Sequence, residues 1–475
     1  MKKDSSFIED YSVRFEHVKN YLAQVRRGLR LPGLAVGIVK DDQIVYLCSL
    51  GAAAPGRAMT PQTPLIVGSL SKSFTALAVM QLVERGLVDL DKPVQQYIPW
   101  FRLDDAAASS RITIKHLLTH TSGISRYAGR ALLGGRGGKT IEQSVRDLRG
   151  LHLSRPVGAG FQYSNTNYLI AGLIVEVVSG QAFSDYIQQH IFSPLGMQHS
   201  YTSESAAIRG DLACGYRWWF GLPLPFHAPY LDDALPAAFV TASVEDMARY
   251  ALALLNSGTL DGASILSPTG VAALHRPQVA TASPGSSYGL GWRVEQLNGG
   301  VSIVRHGGEV SNFLAEMVLV PEQQAGVVVL MNVNNGMVPL VVPQISGLAS
   351  DVARLLLGMP TTPAGRRLSL RGFYTLLNTA LGALSVYQVW SLLRLLRSSS
   401  SPAQRPWRFV LELAALLEAG LAAAGLQAIP RLADSPWSLL RLYVPDVVSW
   451  LAVFSCGSLV KCFVLLVWLL RRSRR

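Results

Sequence analysis

The sequence predicts an α/β domain, an antiparallel sheet flanked by helices with an inserted, mostly helical subdomain, followed by a tail of three transmembrane helices. Three observations lead there. Strand-like segments gather at the two ends of the body with helical patterns between them. Three apolar stretches of spanning length follow after residue 370, and charge divides unevenly between the two parts. Of 475 residues, 49% are hydrophobic and 16% charged, with a mean hydropathy of +0.27, which excludes a disordered chain. Residues 361–475 hold 14 Lys/Arg against 4 Asp/Glu and carry +10 of the net +12. The boundary is therefore set with a globular domain over 1–360 and a membrane region over 361–475. The near-neutral body has no basic run interleaved with aromatics, so nucleic acid is not expected as a partner.

Phe15, Val18, Leu22 and Val25 recur at helical spacing and predict a first helix ended by Pro32-Gly33. LAVGIVK and IVYLCSLG then flank Asp41-Asp42 as a hairpin. SKSFTALAVMQLVERG reads as a strong helix ended by Gly86, with further helical stretches over 112–119, 167–179 and 184–192. Strand character returns at YGLGWRVEQL, GVSIVRHGG, FLAEMVLV and GVVVLMNV. In GLVDLDKP, Asp89 and Asp91 fit a capped turn. WWFGLPLPFHAPY (218–230) suits a cleft lining, a bilayer contact or plain satellite packing.

In the tail, residues 373–393, 409–429 and 447–470 are each close to the ~20 residues needed to span a bilayer. Arg394, Arg397, Arg405 and Arg408 lie between the first two, and the chain ends RRSRR. The positive-inside rule puts that connection and the C-terminus in the cytoplasm and the large domain on the outer face of the cell membrane. Arg366, Arg367 and Arg371 weigh against this orientation. The first 22 residues contain no apolar core of a secretory signal, so an outer placement implies a leader upstream of Met1. Glu418 and Lys461 fall at the same depth of neighbouring antiparallel spans, which predicts an ion pair, and Ala415, Ala419 and Ala423 predict a close-packing face. Ser398 to Pro402 is the one linker-like piece. Cys48, Cys214, Cys456 and Cys462 show no CxxC or metal spacing and read as free thiols.

The chemistry centres on Ser69-Leu70-Ser71-Lys72 at the start of the strong helix. Residues three apart lie over one another on a helix, so an amine at 72 reaches a hydroxyl at 69, and a helix N-terminus offers N–H groups to a developing oxyanion. S-x-x-K alone is weak. It recurs at Ser458 to Lys461 inside a span, and a helix N-cap is the plainer reading of Ser69. Two later elements change the balance: Tyr163-Ser164-Asn165 and His306-Gly307-Gly308.

With these, VGSLSKSFTALAVMQLVERG, ITIKHLLTHTSGI, FQYSNTNY, SPLGM, YGLGW and HGGEVSNF followed by PEQQAGVVVLMN resemble the serine beta-lactamase-related family over roughly residues 15–340. That family includes class C beta-lactamases, D-Ala-D-Ala carboxypeptidases, penicillin-binding proteins, D-aminopeptidases and family VIII esterases. The resemblance implies a beta-lactamase/transpeptidase-like fold and a serine hydrolase working through an acyl-enzyme on a peptide, amide or ester, with no metal or cofactor. It implies Ser69 as nucleophile, Lys72 as the group that takes its proton and Tyr163 as acid/base partner. Asn165 would hold substrate and Lys72, His306, Gly307 and Gly308 would line the substrate strand, and the N–H groups of Ser69 and Glu309 would form the oxyanion hole. The pattern departs from the usual K-T-G at 306–307, losing the cation and hydroxyl that hold a carboxylate. This predicts weak beta-lactam turnover and an ester or small-peptide substrate of the cell envelope. A penicillin-binding-like sensor with little turnover, signalling through the tail, is the alternative.

Two rivals fit less well. Gly285-Ser286-Ser287-Tyr288-Gly289 matches G-x-S-x-G but leads into a strand rather than a helix. His116 and His120 are four apart, but position 117 is Leu and no third ligand is evident, so HLLTHTSG is expected to be a structural helix end.

Overall fold

The computed structural model describes residues 5–135, 137–297, 300–342, 345–361, 369–397 and 405–473. The linker at 398–402, Arg366, Arg367 and the last two arginines lie outside the described residues. The chain divides into two compact units, 1–218 with 222–367 and 219–221 with 368–475.

In the first unit, helix α1 (Ser5–Gly28) leads into strands β1 (Gly33–Lys40) and β2 (Gln43–Ala54). Their turn residues Asp41 and Asp42 both take positive φ, 46° and 64°, as a two-residue hairpin matched to strand twist requires. The middle of the chain supplies α2 (Ser71–Glu84), α3 (Arg126–Leu133), α4 (Asn165–Ser179) and α5 (Val244–Leu255). Strands β3 (Arg293–Gln296), β4 (Ser302–Val310), β5 (Phe313–Val320) and β6 (Ala325–Met331) follow, then α6 (Leu348–Leu356).

The nine-stranded sheet runs β3-β4-β5-β6-β1-β2 through its centre, with two-residue strands at its edges, and these pairings are antiparallel. The last strand of the domain thus pairs with the first, Val36 opposite Val329 and Ile38 opposite Val327. Helices α1 and α6 pack together, α6 lies on β5 and β6, and α5 covers β1 and β6. Covered strands need no polar face, which explains why β5 and β6 are almost wholly apolar and buried at every residue, the buried Glu316 of β5 being paired with Arg305. Between the strand groups, α2 packs on α4 to form the inserted helical layer.

The expected strand at YGLGWRVEQL is broken into 287–288 and 293–296. Gly291 turns the chain at φ 81°, where any side chain would press on Ala76 and the Lys72 carbonyl of α2. The expected helix at 112–119 shortens to Ile114–Leu118, and 184–192 becomes a helix over Phe183–Ile187 continued by wider turns. Residues 216–219 and 222–225 are short strands, and Trp218 is buried.

In the second unit, α7 (Leu370–Arg397), α8 (Arg405–Leu432) and α9 (Pro445–Ser473) are long and apolar enough to cross a membrane and fit a transmembrane tail. Lys461 Nζ lies 2.7 Å from Glu418 Oε2, the expected ion pair. Gln388 Nε2 donates to the Phe454 carbonyl at 2.6 Å and to Ser458 Oγ at 3.1 Å, so the polar groups share one seam. The expected alanine face is corrected at one position. Ala415 and Ala422 are buried while Ala423 is exposed, because the seam follows the 3.6-residue repeat over seven residues.

Candidate active site

Ser69 lies in a 3-10 turn (Gly68–Leu70), two residues before the first residue of α2. The helix N-cap is Leu70 and carries no side-chain cap bond, so the N-cap reading of Ser69 does not hold. Other serines tie the turn down. Ser71 Oγ donates to the Gly68 carbonyl at 2.7 Å and accepts from the Val240 N–H at 3.0 Å, and Ser73 Oγ donates to the Leu70 carbonyl at 2.7 Å. From Thr63 to Leu82 every residue except Ser69 is buried. A polar, half-exposed hydroxyl in an otherwise buried stretch is a group presented to a ligand.

Lys72 is fully buried on the first turn of α2. Its Nζ lies 2.7 Å from Asn165 Oδ1, 2.7 Å from the Ala237 carbonyl and 3.1 Å from Ser69 Oγ. None of these partners carries a charge, and burial alone pushes the amine well below its ordinary range. A neutral amine has two N–H donors and one lone pair. The two short contacts take the donors, leaving the lone pair for the Ser69 hydroxyl, the arrangement a general base needs.

Tyr163 sits on the loop before α4, its ring centroid 4.9 Å from Lys72 Nζ and its hydroxyl near enough to Ser69 for the serine to favour the ionised phenol. Burial pushes the phenol up to about 12, against smaller opposing effects of Ser69, Arg293 and Arg126. Lysine lowered and tyrosine raised place the proton on the phenol, so one residue is ready to take a proton and the other to give one. Asn165 is buried with both amide atoms engaged, Oδ1 on Lys72 and Nδ2 donating to the Gly129 carbonyl at 2.9 Å. Helix α3 fixes that end of the loop, since Ser164 Oγ also donates to the Ser125 carbonyl at 2.9 Å.

Strand β4 brings the third element. It pairs with β3 only over 302–305, so residues 306–309 run on past that neighbour and meet the Ser69 turn. A Cβ on Gly308 would stand 1.8 Å from the Val67 carbonyl oxygen and 3.2 Å from Ser69 N. Gly68, at φ 57°, would place a Cβ 2.3 Å from Glu309 N. Two glycines therefore let turn and strand touch backbone to backbone, which brings the backbone nitrogens of Ser69 and Glu309 near one another, an approach an oxyanion hole would need. The Glu309 carboxylate accepts from Asn334 Nδ2 at 3.1 Å.

His306 is buried, with Nε2 3.1 Å from the Tyr288 hydroxyl and Nδ1 2.7 Å from the Gly307 carbonyl. Burial, then Lys72 and Arg293, push it down to about 3, so it is a neutral residue where a lysine is more usual. Gly307 is exposed. Two residues escaped the sequence reading. Arg293, one strand away on β3, exerts its charge on Tyr163, His120 and His306, and its guanidinium lies 5.7 Å from the Phe161 ring centroid. No signal in the sequence tied it to the site, because its approach depends on strand register. His120, which the sequence reading placed only at a structural helix end, lies against Tyr163 with ring centroids 4.3 Å apart and planes tilted by 39°, away from His116, whose Nδ1 instead serves the cap of its own helix. Among the described residues no group of His, Cys, Asp and Glu could hold a metal ion.

Comparison with known proteins agrees with this geometry. The family model Beta-lactamase matches residues 18–343. Penicillin-binding protein 4 of Amycolatopsis lactamdurans is 31% identical over 354 residues, covering 72% of this chain and 89% of that protein. Protein flp of Staphylococcus aureus (strain MW2) is 28% identical over 321 residues, covering 66% of this chain, and the match spans 62% of that relative's length. The structure of the octameric penicillin-binding protein homologue from Pyrococcus abyssi superposes with a TM-score of 0.62 at 28% identity, covering 73% of this chain and 78% of that one. With a serine, a buried lysine, a phenol and a strand carrying two glycines brought together, and with that match over most of its length, the chain belongs to the beta-lactamase family.

Proposed function

We propose that this chain is a membrane-anchored serine hydrolase that forms an acyl-enzyme at Ser69 and acts on an ester or small peptide of the cell envelope. The observation that carries the reading is Lys72, a buried amine with no charged partner among the described residues, 3.1 Å from a half-buried serine hydroxyl. Lys72 takes the hydroxyl proton as Ser69 Oγ bonds to the substrate carbonyl carbon, and the oxygen charge rests on the N–H groups of Ser69 and Glu309. Tyr163 gives its proton to the leaving amine or alkoxide as that bond breaks, and recovers one from Lys72. Water then attacks the acyl carbonyl with the same pair in reverse, releasing the acid and restoring Ser69.

The substrate preference rests on the third element. A neutral His306 and a bare Gly307 offer no ammonium or hydroxyl to a carboxylate, and the cations felt at Tyr163 are the guanidinium groups of Arg293 and Arg126. A bicyclic lactam loses its usual anchor there, whereas an ester or short peptide needs chiefly the oxyanion hole and the strand edge. Charge in the tail supports a domain on the outer face. Reporters fused after residue 360 and after Arg475 report opposite sides if the tail crosses three times, and same-side signals would end that layout.

The decisive experiment compares wild type with Ser69→Ala on nitrocefin and p-nitrophenyl butyrate. Ester turnover that disappears in Ser69→Ala, with slow nitrocefin hydrolysis, is the expected result. Efficient cephalosporin hydrolysis without esterase activity would overturn the substrate assignment.

A further inference from the structure

We propose that His120 is a positioning residue that aims Tyr163 at Ser69; this rests on the reading of Ser69 as nucleophile. His120 lies just beyond a short helix at φ 58°, a left-handed conformation uncommon outside glycine and asparagine. That backbone turns both its carbonyl and its ring toward the tyrosine loop. The His120 carbonyl accepts from the Gln162 N–H at 2.8 Å, and its Nδ1 accepts from the Ser164 N–H at 3.2 Å. One histidine thus grips the peptide groups on both sides of Tyr163 and lays its imidazole against the phenol ring, with centroids 4.3 Å apart.

The chemistry of the ring is fixed by its surroundings. Nδ1 also lies 3.1 Å from Asn167 Nδ2, and Asn167 Oδ1 accepts from Ser122 Oγ at 2.6 Å, which orients the amide with its N–H toward the imidazole. Two donors converge on Nδ1, so Nδ1 is the bare nitrogen and the proton sits on Nε2, a buried atom without a hydrogen-bond partner among the described residues. Protonation would put a hydrogen on Nδ1 facing two N–H groups. Burial above all opposes it, the Arg293 charge adds to that, and the rings of Tyr168 and Tyr288 lie against the imidazole. The imidazole takes no proton from substrate; it is a neutral acceptor and a flat support, and the group that moves the proton is Tyr163.

The test uses the full chain in detergent and measures ester kcat, KM and the rate at which a fluorophosphonate labels Ser69. His120→Leu keeps bulk but removes the acceptor. It is expected to lower kcat and labelling rate on the order of 100-fold with KM changed by less than about 3-fold, since a reacting group displaced by an ångström costs about that much. His120→Asn places an amide oxygen near the Nδ1 position and tolerates positive φ, and is expected to restore most of the rate. Rescue by Asn, with the KM–kcat split, supports positioning. A Leu variant labelled as fast as wild type overturns the proposal, and so do Leu and Asn variants that are folded by thermal melt and equally slow. A wild-type chain whose Ser69 is never labelled would instead remove the nucleophile reading, and this proposal with it.

Discussion

Gly308→Ala replaces one hydrogen with a methyl group at the point where β4 meets the Ser69 turn. The new Cβ would stand 1.8 Å from the Val67 carbonyl oxygen, a backbone atom with no rotamer to escape through. Reaching the shortest contact that real Cβ atoms make requires the strand and turn to separate by about 1.2 Å, and packed interiors yield such distances only by shifting whole elements. The oxyanion hole depends on donors within roughly 2.7–3.1 Å of one oxygen atom, so a gap of that size removes one donor's contribution, about 10²–10³ in kcat. Overpacking adds about 1–3 kcal/mol of lost stability. Gly307→Ala is the internal control, because its Cβ would meet nothing nearer than the Ala315 carbonyl at 3.9 Å. Fluorophosphonate labelling of Ser69 with parallel thermal melts reads both effects. Wild-type labelling by Gly308→Ala, or equal losses at 307 and 308, would refute the backbone-contact account of the oxyanion hole.

The lysine–tyrosine pair sets the pH response. Activity needs Lys72 neutral and Tyr163 protonated, so kcat/KM rises through the depressed Lys72 transition and falls only as pH approaches the Tyr163 value of about 12. His306, neutral down to about 3, adds no transition between pH 4 and 9 if this holds, and Tyr163→Phe loses the alkaline limb along with about 10²–10⁴ in kcat. In the tail, Lys461→Met leaves Glu418 as an unpaired carboxylate and is expected to destabilise the helices by about 3–5 kcal/mol, whereas Lys461→Met with Glu418→Gln recovers much of the loss. Thermal melts in detergent check this, and a silent single variant would show that the pair does not hold the helices together.

Much of this protein is determined by local pattern. Periodicity locates α1 and turn residues suited to positive φ locate the β1–β2 hairpin, whereas α4 is buried at every residue from Asn165 to Val175 and shows as an apolar run of helical length. The three tail helices and the Glu418–Lys461 pair follow from length, hydropathy and depth, since a low-dielectric setting leaves charged groups few partners. The motifs at 69–72, 163–165 and 306–308 name the reacting groups, and resemblance orders them. Tertiary structure decided what those groups are chemically. A lysine three residues after a serine is a base only once burial strips it of charged partners, and that depends on Asn165 and Ala237 arriving from distant segments. Arg293 and His120 entered the site through strand register and one left-handed turn, neither of which leaves a periodic trace. Ala423 left the packing seam for a similar reason, because which side of a helix is covered depends on its neighbours. Sequence fixes which atoms are available; only the fold sets their distances and their access to water, and proton affinity follows from those.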